Sequence, residues 1–282
     1  MRQNLRAFAA SMRIGWEIES NWTKVPLYLL YAAVRPLALC LLLYYLFKAA
    51  VSVGAPGDDP RFVAIFLGNA FFTVFVSMTS GLSWSIISDR EHYQLIRYVY
   101  IAPAPFIWII IGRAITLLLV ALSSVALVLL IGKLLLAIPI GPAQIDWFML
   151  LSGQVMGLIA TCGLGIFFAG LLLVTARHSL LLAEGVGGTF LLLCGVLYPT
   201  TYLPAALQPL AWLNPLTYWI EASRRAFGVF GFDSRLAALP DWMLLLVFGL
   251  LTLMTFVGGW KAFMRFEMYA KRHGKIDQTT NY

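Results

Sequence analysis

The feature that most constrains this chain is a series of long apolar runs, over residues 26–48, 61–88, 106–136, 147–174, 180–197 and 242–263. Runs of about 18 or more apolar residues are read as membrane spans. Hydrophobic residues make up 61% of the 282 and charged residues 12%, with a mean hydropathy of +0.83. A soluble domain carries about twice that charged fraction, so a water-facing shell cannot be built and lipid must solvate the bulk of the molecule. Six spans predict an all-α membrane protein organised as one transmembrane domain over residues 1–282.

The connecting segments set the orientation. The formal charge is +7. With six spans, Arg2, Arg6, Arg13, Lys24, Arg90, Arg97, Arg177, Lys261, Arg265, Lys271, Arg272 and Lys275 fall on one side. The other side holds Lys48, Arg61, Lys133, Arg224, Arg225 and Arg235. Lys and Arg concentrate on the cytoplasmic side, which places both termini in the cytoplasm of a cell (inner or plasma) membrane. The same placement accounts for the basic charge without nucleic acid as a partner.

Several segments are not plain spans. Over residues 1–25, Leu5, Phe8, Met12 and Trp16 recur at helical spacing with Arg6, Arg13 and Glu17 off the stripe, the pattern of a helix lying in the membrane interface. Arg35-Pro36 interrupts the first span; an intramembrane arginine normally faces a polar cavity or snorkels. Residues 198–241 carry Pro199, Pro204, Pro209 and Pro215 with Glu221, Arg224 and Arg225. No stretch there is long enough to span, and short external helices dipping into the interface fit the composition. Glu221 and Arg225 are four apart and can pair on a short helix, leaving Arg224 free. The tail, 264–282, is basic and polar. Cys40, Cys162 and Cys194 each sit in an apolar run, where a thiol packs as a small hydrophobe.

Catalytic constellations are missing. The histidines His92, His178 and His273 map to cytoplasmic segments, and no HExxH or carboxylate pair lies at membrane depth. GxxxxGK[ST] is missing too, so ATP-driven work needs an ATPase on another polypeptide, gripped from the cytoplasm. The grip candidate is the segment 88–103. Asp89, Arg90 and Glu91 would orient it and Leu95 and Ile96 would seat it, with Phe8 and Met12 of the N-terminal helix as a second contact. In the fourth span, Gly153, Gly157, Thr161, Gly165 and Ala169 place a small residue at every fourth position, which lets another helix approach closely. That stripe serves packing within one subunit or a dimer seam. The aromatic first and second spans, with Tyr44, Phe71, Phe72 and Phe75 beside Arg35, hold the candidate pathway residues; aromatic faces suit sugars and apolar groups alike.

The stretch Tyr198-Pro199-Thr200-Thr201-Tyr202-Leu203-Pro204, then Leu207-Gln208-Pro209-Leu210 and Leu213-Asn214-Pro215-Leu216-Thr217-Tyr218-Trp219-Ile220-Glu221-Ala222-Ser223-Arg224, resembles the signature region of ABC-2 type permeases. Ser88-Asp89-Arg90-Glu91-His92 on to Pro103 is similar to the family's segment between the second and third spans, with His92 and Tyr93 where a glycine is common. The resemblance implies two permeases, as a homodimer in the simplest case, assembled with two cytoplasmic ATPase subunits that carry ATP and Mg; this chain itself would hold no cofactor and catalyse nothing. It implies that 88–103 is the coupling helix and that the first, second and fifth spans face the second permease. A re-entrant helical hairpin between the fifth and sixth spans, with Pro199, Pro204, Asn214, Pro215, Tyr218, Glu221, Arg224 and Arg225, would close the external end. The expected function is ATP-driven export of an amphipathic or hydrophobic substrate: a drug-like natural product, a lipid or a lipid-linked glycan. The alternatives are an ATP-independent channel or secondary carrier, and a membrane scaffold.

Overall fold

A computed structural model describes residues 2–21, 23–51, 59–91, 105–136, 138, 141, 145–175 and 179–274; the side chains of residues 2–5, 35, 51, 91 and 179–184 lie outside the description. Its helices are α1 (Arg2–Ser20), α2 (Val25–Val51), α3 (Pro60–Glu91), α4 (Phe106–Leu135), α5 (Trp147–Val174), α6 (Ser179–Leu193), α7 (Gln208–Trp212), α8 (Pro215–Ala226), α9 (Ser234–Ala237) and α10 (Asp241–Arg272), with a 3-10 turn at Thr200–Tyr202. No strand occurs among the described residues. Five helices, α2, α3, α4, α5 and α10, are long and apolar enough to cross a membrane.

These helices differ in how much of their apolar length is covered. In the most apolar stretch of α3, 78% of residues are buried, against 24% in α2 and 22% in α10. Helix α3 is therefore the central post, packed on α4, α5, α6 and α8, while α2 and α10 flank the bundle. Both flanking helices expose apolar rows: Leu27, Leu30, Val34, Leu42 and Leu46 on α2, and Leu246, Leu250, Leu253 and Val257 on α10. Such rows are stable only where lipid or another apolar surface covers them.

The α5–α10 contact is the most extensive in the bundle. It is set by Gly163 and Gly259, whose backbones touch; a Cβ on Gly259 would overlap the Gly163 carbonyl. Small residues that let two backbones meet are the usual device for helix association in lipid. The stripe noted in the sequence packs inside this same chain. Gly153 faces Ala222, Gly157 faces Trp219 and Gly165 faces Leu82, so the seam is intramolecular.

Three sequence-based boundaries move. The expected span 180–197 is helical only over Ser179–Leu193, about 22 Å at 1.5 Å per residue, short of a hydrocarbon core about 30 Å thick. Gly195 at φ +67° then turns the chain, a conformation that favours glycine. The last helix, expected over 242–263, continues to Arg272 because Met264–Arg272 contains neither Gly nor Pro; Gly274 at φ +62° follows it. Helix α2 also continues through Pro36 without a break.

Candidate functional site

The signature stretch folds into α7, α8 and α9 at one end of the bundle. Helix α8 starts cleanly: Asn214 Oδ1 accepts from the Leu216 N–H at 3.1 Å, and Pro215 occupies the first helical position, where a missing N–H costs nothing. Every residue of α8 from Pro215 to Ala226 is buried. The helix runs antiparallel to α5. Its Ala226 carbonyl accepts from the Asp146 N–H at 2.9 Å, Ala222 meets Gly153, and Trp219 covers Gly157. Asp146 and Gly157 are eleven positions apart, so α8 lies along about 16 Å of that helix. Gln154 serves both of its polar neighbours, donating to Ser223 Oγ at 3.2 Å and accepting from Trp219 Nε1 at 3.3 Å.

Full burial brings three charges of α8 inside. Arg224 donates from Nε to the Ala64 carbonyl at 2.9 Å and from Nη2 to the Gly195 and Val196 carbonyls at 2.9 and 2.8 Å. Its guanidinium lies 4.1 Å from the Phe232 ring centre and 4.0 Å from Glu221. Arg224 is thus far from the free arginine expected from sequence. It ties α3 to the end of α6, and Gly68 leaves it room, since a Cβ there would sit 2.7 Å from Nη2. Arg225 pairs with Glu221 at 3.3 Å and with Asp241 at 2.5 Å, and donates to the Leu236 and Leu239 carbonyls at 2.6 and 2.9 Å. Burial pushes the Glu221 carboxyl up, and Arg224 and Arg225 pull it back only in part. Asp233 completes the network by accepting from both the N–H and the hydroxyl of Thr200, while Arg235 stacks on Trp212 at 3.3 Å.

Among the other residues singled out for this end, Tyr218 is buried, Pro199 is half-buried as the residue before the 3-10 turn, and Pro204 is exposed. Asn214 also donates to Cys194 Sγ at 3.0 Å. The network was missed from sequence because Ala64, Gly195, Asp233 and Asp241 are remote from Arg224 and Arg225 along the chain. The Glu221–Arg225 spacing was its one local trace.

A second polar cluster lies at the opposite end. Arg113 binds Asp89 through its two terminal guanidinium nitrogens, Nη1 and Nη2, at 2.7 and 2.9 Å, and donates to Ser85 Oγ. Asp89 and Arg90 are buried at 3% and 2% exposure, and Arg90 donates to the Leu172 carbonyl at 3.3 Å. Both side chains face the interior of the bundle. A cavity of about 220 Å³ beside the pair is lined by Gly15, Glu19, Trp84, Ser88, Asp89 and Arg113. Burial raises the Glu19 carboxyl, against the pull of the Tyr28 hydroxyl and Arg113.

Helix α1 rests on α4 beside this pair. Ser11 Oγ donates to the Ile109 carbonyl at 2.7 Å, and Thr116 Oγ1 donates to the Met12 carbonyl at 2.9 Å. The buried face carries the small residues Ser11 and Gly15, with Phe8 half-buried and Met12 exposed. The backbone of α1 makes this contact, and its large apolar side chains lie to the side. Residues 92–104, with Leu95 and Ile96, and the Glu91 side chain lie outside the described residues.

The candidate pathway residues fall within the core. Phe71, Phe72 and Phe75 are buried, with the Phe75 ring tilted against Phe190 at 4.9 Å and Phe71 tilted against Phe227 at 6.1 Å. Tyr44 is half-buried and meets Phe62 edge-on at 5.6 Å. The Arg35 side chain lies outside the described residues.

The ABC-2 type transporter family matches residues 14–228, from within α1 to just past α8. The chain belongs to that family of membrane transport subunits, which are not themselves catalysts. No curated protein matches the chain.

Proposed function

We propose that this chain is the permease of an ATP-driven exporter. Two copies would work with two cytoplasmic ATPase subunits, which carry the ATP and Mg, to move an amphipathic or hydrophobic substrate out of the cytoplasm or the inner leaflet. The observation that carries the reading furthest is α8. A family-type motif forms a helix with no exposed residue, seated along a span by Trp219 and held by three buried charges. That is the build of a plug closing one end of a path, and α7 and α8 would form a re-entrant hairpin on the external side. Helix α1, with Arg13 and Glu17 outward, would lie in the cytoplasmic interface. Segment 88–103 would contact the ATPase through residues beyond the buried Asp89 and Arg90. Helix α6 would complete the sixth crossing, its shortness made up by the turns at Gly195, which keeps both termini in the cytoplasm. The exposed row of α2, with α6, would face the second permease.

The deciding experiment is reconstitution of the chain with its co-purifying ATPase in proteoliposomes. Export that needs hydrolysable ATP supports the reading; transport by the chain alone would favour an ATP-independent carrier. Topology is checked with single cysteines. Tyr202→Cys and Ser234→Cys should label from outside, and His273→Cys only after permeabilisation. External labelling of position 273 in intact cells sinks the six-span arrangement.

A further inference from the structure

Arg113 stands where three helices meet. Along one face of α4, residues 109, 112, 113 and 116 make four contacts. Ile109 and Thr116 hydrogen-bond to α1. Gly112 lies against the α1 backbone, where a Cβ would come 2.7 Å from the Phe8 carbonyl. Arg113 reaches the other way and grips Asp89 and Ser85 of α3. Asp89 lies just before the segment 92–104 and Arg113 shortly after it, so the ion pair bridges the two roots of that segment. Bidentate Arg–carboxylate geometry fixes orientation as well as distance. A buried pair is a poor way to gain stability compared with apolar packing, so its value here is in holding α3 and α4 at one angle.

We propose that Arg113 is the positioning residue of energy coupling, fastening the two roots of the 92–104 segment to each other beside the seat that α4 gives α1. Resting on the coupling reading above, this assigns Asp89 to an internal joint instead of an ATPase contact, and it makes α1 a moving part carried by α4. A push on the segment then reaches α1, α3 and α4 together. Without the pair, α3 and α4 can turn against each other and the push is lost.

The test uses the complete permease–ATPase complex in nanodiscs and needs no knowledge of the substrate. A cysteine replaces Tyr202, which is 79% exposed in the external region, in a Cys162→Ala background, and its labelling rate by an impermeant maleimide is measured with and without ATP and Mg. In the otherwise wild-type complex ATP should change the rate by about two- to thirtyfold, the range that coupling energies of this kind span. Arg113→Gln should keep the ATPase bound and its basal hydrolysis running while the ATP effect disappears. Arg113→Lys should retain part of it, and the exchange Asp89→Arg with Arg113→Asp should restore it. A wild-type ATP effect in Arg113→Gln overturns the inference alone, whereas no ATP effect in the wild type overturns the coupling reading and the inference with it. A second arm does not depend on how Arg113→Gln folds. A Cβ on Gly15 would lie 3.6 Å from the Thr116 Cβ, within disulfide range. Oxidised Gly15→Cys/Thr116→Cys should still show the full ATP effect if α1 travels with α4. Loss of the effect on crosslinking, and its return on reduction, overturns the one-body assignment.

Discussion

The indole of Trp219 occupies the space that a side chain would take at Gly157, so closely that a Cβ there would overlap its ring atoms. This one fit seats α8 on α5. Gly157→Ala should therefore destabilise the protein by about 1–3 kcal/mol through overpacking, read as a lower melting temperature in detergent. Trp219→Ala should cost about 3–5 kcal/mol through the cavity it leaves. Combining Trp219→Ala with Gly157→Leu should cost less than the two changes summed, because the new side chain refills the space.

Arg224 should be intolerant of any replacement. Arg224→Met leaves the Ala64, Gly195 and Val196 carbonyls without their donor and Glu221 short of a cation. Breaking a buried charged cluster in this way costs about 3–5 kcal/mol. Arg224→Lys should not rescue it, since one ammonium cannot reproduce a planar fork aimed at three carbonyls. The fraction of monodisperse protein after solubilisation checks both.

Glu221 should confer a pH dependence of known sign. Burial raises its carboxyl above the ordinary value of 4.5, so between that value and the raised one the folded state binds a proton that the unfolded state does not. Stability from this group therefore rises as pH falls through the raised value toward 4.5. The melting temperature of the wild type relative to Glu221→Gln should increase over that interval. A difference that stays flat or narrows on acidification is the contrary result.

Gly112→Val should detach α1. The added carbons would meet the Phe8 carbonyl at 2.7 Å and Ser11 Cβ at 2.9 Å, and the backbone cannot yield there without losing the Ser11 and Thr116 hydrogen bonds. Trypsin should then cut at the exposed Arg13 much faster than in the wild type, while the remaining bundle stays intact.

Five long apolar helices could be read from the sequence because lipid demands apolar length, and apolar length is a local property; the run 180–197 yields only the shorter helix Ser179–Leu193. The intramolecular use of the Gly153–Ala169 stripe followed from spacing as one of two readings, and Trp219 and Leu82 decide between them. Glu221–Arg225 was visible as a helical pair, but its burial was not, since the partners that enclose Arg225 are Leu236, Leu239 and Asp241, 11, 14 and 16 residues further along the chain. Asp89 and Arg113 are 24 residues apart, on two helices, with no shared periodicity. The Gly163–Gly259 contact was missed although both glycines were plain in the spans, because a lone glycine in an apolar run does not say which partner it meets.

The complete enclosure of α8 has a consequence for how the protein is made. A span can enter the bilayer as it leaves the ribosome, but α8 is neither long nor apolar enough to do so, and it carries Glu221, Arg224 and Arg225. Its seat is formed by α3, α5, the end of α6 and α10, and α10 is synthesised after it. On the proposed topology the segment would cross to the far side unfolded, wait there, and tuck in last, once its final wall has arrived. Lesions in α8 should accordingly yield full-length, fully inserted chains that stall one step from maturity and fall to quality-control proteases.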